Sequence, residues 1–380
     1  MENTSKKIVF FILLILFLLI TSGCYRQKSE LVHKDSKAEV EKNQELNEEK
    51  PIKQLQLDKS QFNRIAGWLN NDTIIYIKED AARSEVYTYH LYNGKQELLF
   101  SIDEPINDVR VSPSHHRVLI QTAPLTYTAN LYFLDLEGNM IYSTEVESSE
   151  LEIAWNAINE DNLFITAFYE DWSYDVYHLN LATKTFDSVE MTQPFLKWFG
   201  KDVFLSQRWD QSNAHLFAPL VKSSLHDIQK ENIVFKEIYQ FDTFKDFLMT
   251  INVLEEDRDY AVYRFYNQAY EEIRRWQIPH LAQYSDWHVP FYDLLSSNAS
   301  FLTFVPYTSG SIDHYDGNYQ LVMYHLRTGK KSVIAEQLEN EPISCSPDGK
   351  KCLYGFKLEN LIQLKAKKIK SIVTLSEDIV

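Results

Sequence analysis

The sequence predicts an all-β protein, a β-propeller of six or seven four-stranded blades, on three observations. Short runs rich in Tyr, Phe, Val and Ile alternate apolar and polar residues, the pattern of half-buried strands. The runs recur with a period in the low forties, so that Tyr89, Leu134 and Leu179 hold equivalent third-strand positions at steps of 45 residues. Four short strands at such a period are the mark of a propeller blade. No long amphipathic helical pattern competes with them.

Residues 1–23 read as a lipoprotein signal peptide. Lys6 and Lys7 supply a positive start, and Ile8 to Ile20 form an apolar run of 13 residues. That run is short for a bilayer span and suits a signal segment. A retained transmembrane anchor is the competing reading. Thr21-Ser22-Gly23-Cys24 then resembles a bacterial lipobox: two small residues fit a narrow peptidase cleft, and the Cys24 thiol is the nucleophile for a diacylglyceryl group. Thr21 departs from the usual Leu. Cleavage before Cys24 leaves 357 residues, attached from outside to the cell membrane through chains strong enough to hold a protein there.

Residues 24–60 read as a tether. They are rich in Lys, Glu, Gln and Asn, lack aromatic residues after Tyr25, and cannot bury a core. Eight cations balance eight anions in this stretch, so the propeller domain, residues 61–380, carries −17 of the overall −16, the signal segment adding +1. Such acidity disfavours nucleic acid, anionic headgroups and anionic wall polymers as ligands. It permits cations, basic protein surfaces and neutral glycans.

The first repeat opens near Ile65-Ala66-Gly67-Trp68, turns at Asn93-Gly94 and ends at Leu98 to Phe100. The second runs from Val109 to Thr144 and the third from Ile153 to Met191. Later third strands centre on Leu216 to Leu220, Val262 to Tyr266, Leu321 to Leu326 and Asn360 to Leu364. This gives seven units, the fifth with a poor first strand; a six-bladed ring with one split unit and a non-propeller array of sheets remain as alternatives. With only ten glycines in the chain, the turns rely on Asn, Asp and Ser.

Ser346-Pro347-Asp348-Gly349-Lys350-Lys351 resembles the turn of TolB-like propeller repeats, and Val111-Ser112-Pro113-Ser114 is a degraded copy. Pro fixes φ early in such a turn and Gly supplies the positive φ that closes it. With the lipobox and the charged tether, residues 60–380 resemble the YqgU-type lipoproteins of Gram-positive bacteria. The resemblance implies a propeller, usually of six blades, and brings no catalytic residues.

Cys345 and Cys352 flank that turn and fall opposite one another if Asp348-Gly349 is its tip. An extracytoplasmic address favours oxidation. A hydrogen-bonded register, with its wider Cα spacing, opposes it. The sequence leaves the disulfide open, and either state is structural.

There is no Gly-x-Ser-x-Gly elbow, His-Glu-x-x-His, Walker loop or dinucleotide fingerprint, and no cofactor is expected. Asp313 to Asn318 has oxygen ligands and a glycine but lacks the spacing of a calcium loop, so no metal is expected there. The informative residues lie in the loops between second and third strands, which open on one face of a propeller. Asp171 and Trp172, Trp209 and Asp210, Asp257 and Asp259, and His314 set aromatic rings beside carboxylates. Rings give contact area or stack on sugars; carboxylates accept from ammonium or hydroxyl groups. The plainer reading is that the tryptophans tuck against neighbouring blades and the acids solvate a rim. Trp68, Trp155 and Trp198 sit in strands and are expected in the core. The expected function is a non-enzymatic binding or scaffold propeller for an envelope protein. The alternative is a glycan-binding or glycan-active propeller using the same acids.

Overall fold

The structure, a computed structural model, describes residues 50–376 apart from 81–82, 211, 213–214, 255–256 and 284–285. Cys24, the signal segment and the tether through residue 49 lie outside the described residues. Seven four-stranded antiparallel sheets follow one another along the chain. They are blades 1 (62–102), 2 (106–147), 3 (150–189), 4 (197–238), 5 (240–279), 6 (292–338) and 7 (343–371). Strand order within each blade is sequence order, so no blade borrows a strand from another. The fifth unit does have a first strand, Gln240–Thr243.

Second strands are the most deeply buried, as in Thr73–Glu79, Asn162–Phe168 and Ser300–Pro306. Both faces of such a strand meet a neighbouring sheet, and their sequences are accordingly near-continuous apolar runs. The core is divided into seven clusters, one in each gap between adjacent blades. Leu119, Leu131 and Phe133 of blade 2 meet Ile153 and Leu163 of blade 3, for example. Each large side chain so buried contributes roughly 1.5–3 kcal/mol. Stability is therefore spread around the ring.

Polar bonds between neighbouring first strands cross every gap. Arg64 donates to Asn107 O at 2.9 Å between blades 1 and 2, and Arg110 to Ile153 O at 2.8 Å between blades 2 and 3. Trp198 Nε1 donates to Ala154 O at 2.9 Å between blades 3 and 4. Asp242 of blade 5 accepts from Lys197 Nζ of blade 4 at 2.7 Å and from Tyr292 OH of blade 6 at 2.8 Å. Asp293 of blade 6 accepts from Cys345 N of blade 7 at 2.6 Å. Trp68 Nε1 of blade 1 closes the circuit on Ser344 O of blade 7 at 2.8 Å. Trp68 and Trp198 are buried, while Trp155 packs from the edge against Phe133.

The closing gap has a further device. Leu55–Asp58 pairs in parallel with Val373–Ser376, forming a two-stranded clasp outside the blades. These residues fall in the stretch that composition assigns to the tether; Leu55 and Leu57 are too brief an alternation to stand out among charges, yet both are buried between blades 1 and 7. Just before the clasp, Lys53 N donates to Leu91 O at 2.7 Å and its Nζ to Asn93 O at 3.0 Å, beside the third-to-fourth turn of blade 1. Buried Lys351 adds an ion pair, its Nζ 2.8 Å from Asp72 Oδ1 and 5.0 Å from the Tyr92 ring centroid.

Cys345 and Cys352 are directly paired and joined by a disulfide, with Cα atoms 3.8 Å apart. Ser346 N donates to Lys351 O in the next pair, which makes the cysteines a non-hydrogen-bonded pair, the closer of the two spacings.

Asp293 gives the ring a titration. Desolvation at the blade 6–7 gap raises its carboxyl to about 6 despite bonds from Cys345 N and Leu294 N, with Asp242 repelling its charge. A group whose folded pKa is raised binds its proton more tightly in the native state. Its contribution is present below the unfolded value of 3.8 and is lost as pH climbs through 6. The loss is on the order of 3 kcal/mol. Asp293→Asn is expected to flatten the fall in stability between those pH values, read by urea unfolding across that range; an unchanged slope would refute the assignment.

Candidate functional site: the link face

Alternating strand direction sends second-to-third loops and blade-to-blade links to one face, the link face. First-to-second and third-to-fourth turns lie on the other, the turn face. Glu170, Asp171 and Asp210 on the link face are exposed.

Asp171 and Trp172 form the hairpin tip of blade 3. Asp171 Oδ1 accepts from Ser173 N at 3.0 Å and from its Oγ at 2.5 Å. The Ser173 hydroxyl and amide hold the Asp171 carboxyl below its ordinary range. Trp172 follows with φ 66° and is 88% exposed. Left-handed backbone at a bulky residue is unfavourable, and here the chain bends so that Trp172 N donates to Tyr169 O at 3.0 Å. Asp210 repeats the device in blade 4, accepting from Ser212 N at 2.9 Å and Oγ at 2.6 Å, with the same lowering. Trp209 differs from Trp172: it is half-buried, and its carbonyl accepts from Gln193 Nε2 at 3.3 Å.

Asp257 opens the third strand of blade 5, and its side chain lies outside the described residues. Asp259 is exposed, and its carbonyl accepts from Ser309 Oγ and from His280 N. His314 ends a single 3-10 turn, Ile312–His314, exposed to solvent. Tyr315 organises the following turn, its hydroxyl donating to Asn318 O at 2.6 Å. Among the described residues no three His, Cys, Asp or Glu side chains gather in a group that could hold a metal ion. The candidate residues thus share a face but do not converge on one point.

Two features of this face escape sequence reasoning. The link from blade 5 to blade 6 forms a small sheet: Leu281–Gln283 pairs with Asp286–His288 and, in parallel, with Gly310–Ser311 from the blade 6 loop. Trp287 within it packs on Tyr239, with centroids 4.8 Å apart, and on Phe217 at 5.4 Å. The second feature is a cavity of about 280 Å³ over blades 3, 4 and 5, lined by Glu152, Gln193, Phe195, Lys197, Gln207 and Trp209 among others.

Apolar exposure is strongly one-sided. Of the fifteen large apolar side chains exposed among the described residues, nine lie on the link face. Trp172 is joined by Leu125 at 70%, Phe356 at 69% and Phe195 at 57%, with Tyr127, Leu216, Tyr260, Phe291 and Tyr307 less exposed. The other six are scattered over outer strands, the clasp and the turn face. A groove of about 530 Å³ between blades 2 and 3, lined by Pro105, Leu125 and Ser149, opens beside this apolar set.

A family model described as a YqgU-like 6-bladed beta propeller domain matches residues 90–355. Those residues hold blades 2 to 6 whole and only parts of blades 1 and 7; the described residues form seven four-stranded sheets where that description gives six blades. The chain is 27% identical over 371 residues to a Bacillus subtilis (strain 168) protein named "Uncharacterized lipoprotein YqgU", covering 96% of this chain and 97% of the relative. It superposes on the crystal structure of the uncharacterized protein lmo1340 from Listeria monocytogenes EGD-e with a TM-score of 0.80, at 22% identity, covering 87% of this chain and 99% of the other. The β-propeller domain of the Trilobed protease from Pyrococcus furiosus shares the fold at a TM-score of 0.55 and 12% identity, over 86% and 99% of the chains.

Proposed function

The chain belongs to the YqgU-like 6-bladed beta propeller domain family, and we propose that it is a lipid-anchored binding propeller that holds an envelope protein on its link face. The one-sided exposure of Trp172, Leu125, Phe356 and Phe195 carries this reading. Rings and aliphatic groups set among carboxylates make an anchoring surface for a partner with apolar and basic residues. The relative named a lipoprotein supports attachment through Cys24, with signal peptide 1–23, tether and propeller in the order given by the sequence. A glycan-active reading needs one carboxyl held protonated near neutral pH. Asp171 and Asp210 are shifted the opposite way, which favours binding over chemistry at these two positions.

Cross-linking in cells, followed by identification of partners, tests the proposal. Trp172→Ala combined with Phe356→Ala is expected to remove the dominant partner, since exposed aromatic anchors of this kind are typically worth about 2 kcal/mol or more each. The variant should stay in the membrane fraction, and Cys24→Ala should leave it. An unchanged partner set in the double variant would show that the link face is not the docking surface.

A further inference from the structure

We propose that the cavity over blades 3, 4 and 5 is a receptacle for one cationic side chain, an ammonium or guanidinium on an apolar stem, presented by the partner that docks on the link face. This rests on the proposed docking role of that face and names the chemistry at its centre.

Charge and free acceptors set what the lining can hold. Gln207 Nε2 donates to Ile238 O and Tyr239 O, both at 3.1 Å, which spends its amide hydrogens and fixes Oε1 as its free atom. Gln193, 8% exposed, donates through Nε2 to Trp209 O at 3.3 Å and keeps its oxygen and one N–H. Lys197 Nζ is 2.7 Å from Asp242 Oδ1, and Asp242 Oδ2 accepts from Tyr292 OH, so this charge is already paired within the ring. Among the described residues the Glu152 carboxylate makes no hydrogen bond or ion pair, while its backbone pairs with Thr166 in the blade. Two amide oxygens and a carboxylate, unpaired among the described residues, therefore meet in one concavity, with the rings of Trp209 and Phe195 beside them. Lys197 is paired with Asp242, so the lining's one charge without a partner among the described residues is negative, which disfavours an anion. A cation finds a carboxylate, two amide oxygens and aromatic walls for its stem. A volume of about 280 Å³ accommodates a single long side chain and excludes a folded segment.

The residues come from three blades, so the ring itself aligns them. Glu152 stands on the first strand of blade 3, Lys197 on that of blade 4 and Gln240 on that of blade 5.

The test uses the full chain in detergent, with N-acetyl-lysine amide and N-acetyl-arginine amide as probes and N-acetyl-norleucine amide as the uncharged control. NMR signals of the indole N–H groups report binding, the Trp209 signal being the one lost in Trp209→Ala. At least one cationic probe should shift that signal saturably, norleucine should not, and Glu152→Gln should weaken binding about ten-fold with unchanged thermal unfolding. The two cationic arms tell ammonium from guanidinium. Equal shifts with norleucine, an undiminished response in Glu152→Gln, or no saturable shift with either cation would overturn the assignment. Such a failure would leave the cross-linking result for Trp172 and Phe356 intact, and loss of the cross-links with binding retained would separate the two the other way.

Discussion

Trp68→Ala is expected to destabilise the propeller by about 3–5 kcal/mol, the range for removing a buried tryptophan. Three separate contributions meet at this ring. It is 3% exposed in the cluster between blades 7 and 1. Its Nε1 is the hydrogen bond that joins the first strands of those blades. The Lys351 ammonium lies 5.9 Å from its ring centroid. Burial pulls the Lys351 pKa down, and the bonds to Asp72 and Tyr92 outweigh it, so the charge is retained on folding and its desolvation is compensated locally. Removing the indole opens a cavity beside that charge. Urea unfolding followed by circular dichroism gives the change in midpoint. A loss below about 1 kcal/mol would mean that the closing gap tolerates the cavity and that the ring does not depend on this contact.

Leu55→Ala should cost about 2–5 kcal/mol, although the residue lies in a segment whose composition reads as tether. Leu55 is fully buried, and its N–H donates to Ile372 O at 2.7 Å. The effect should also be local. Hydrogen exchange is expected to speed up first in the amides of blades 1 and 7, because the clasp bridges only that gap, while blades 3 to 5 keep their protection. Uniform acceleration around the ring would show that opening is global.

Most of the strand framework was legible because alternation and period are written locally. Val118 to Thr122 and Leu131 to Leu136 announce strands without reference to anything distant. The seven-unit count also follows from this, and the fold agrees with it. What sequence could not show depends on partners far along the chain. Leu55 and Leu57 have meaning only once Val373 lies beside them. The first strand of blade 4 is two residues, Lys197–Trp198, too short for any pattern. Trp172 and Trp209 look alike in sequence, each beside an aspartate in a polar loop. Only the fold separates a solvent-facing ring from one lining a cavity. Glu152, Gln193 and Gln207 carried no signal, since only the packing of blades 3, 4 and 5 brings them to one cavity.

The place where the chain joins the ring has a mechanical consequence. Lys53 lies at the third-to-fourth turn of blade 1, on the face opposite the exposed aromatic set. A partner held on the link face and a pull delivered through the preceding residues would act from opposite sides of the molecule. Such a load would meet the Lys53 bonds to Leu91 and Asn93 first and the clasp strand Leu55–Asp58 next. Four residue pairs with Val373–Ser376 hold that strand in the closing gap. The strand that closes the ring is therefore also the one that joins the propeller to the residues before it.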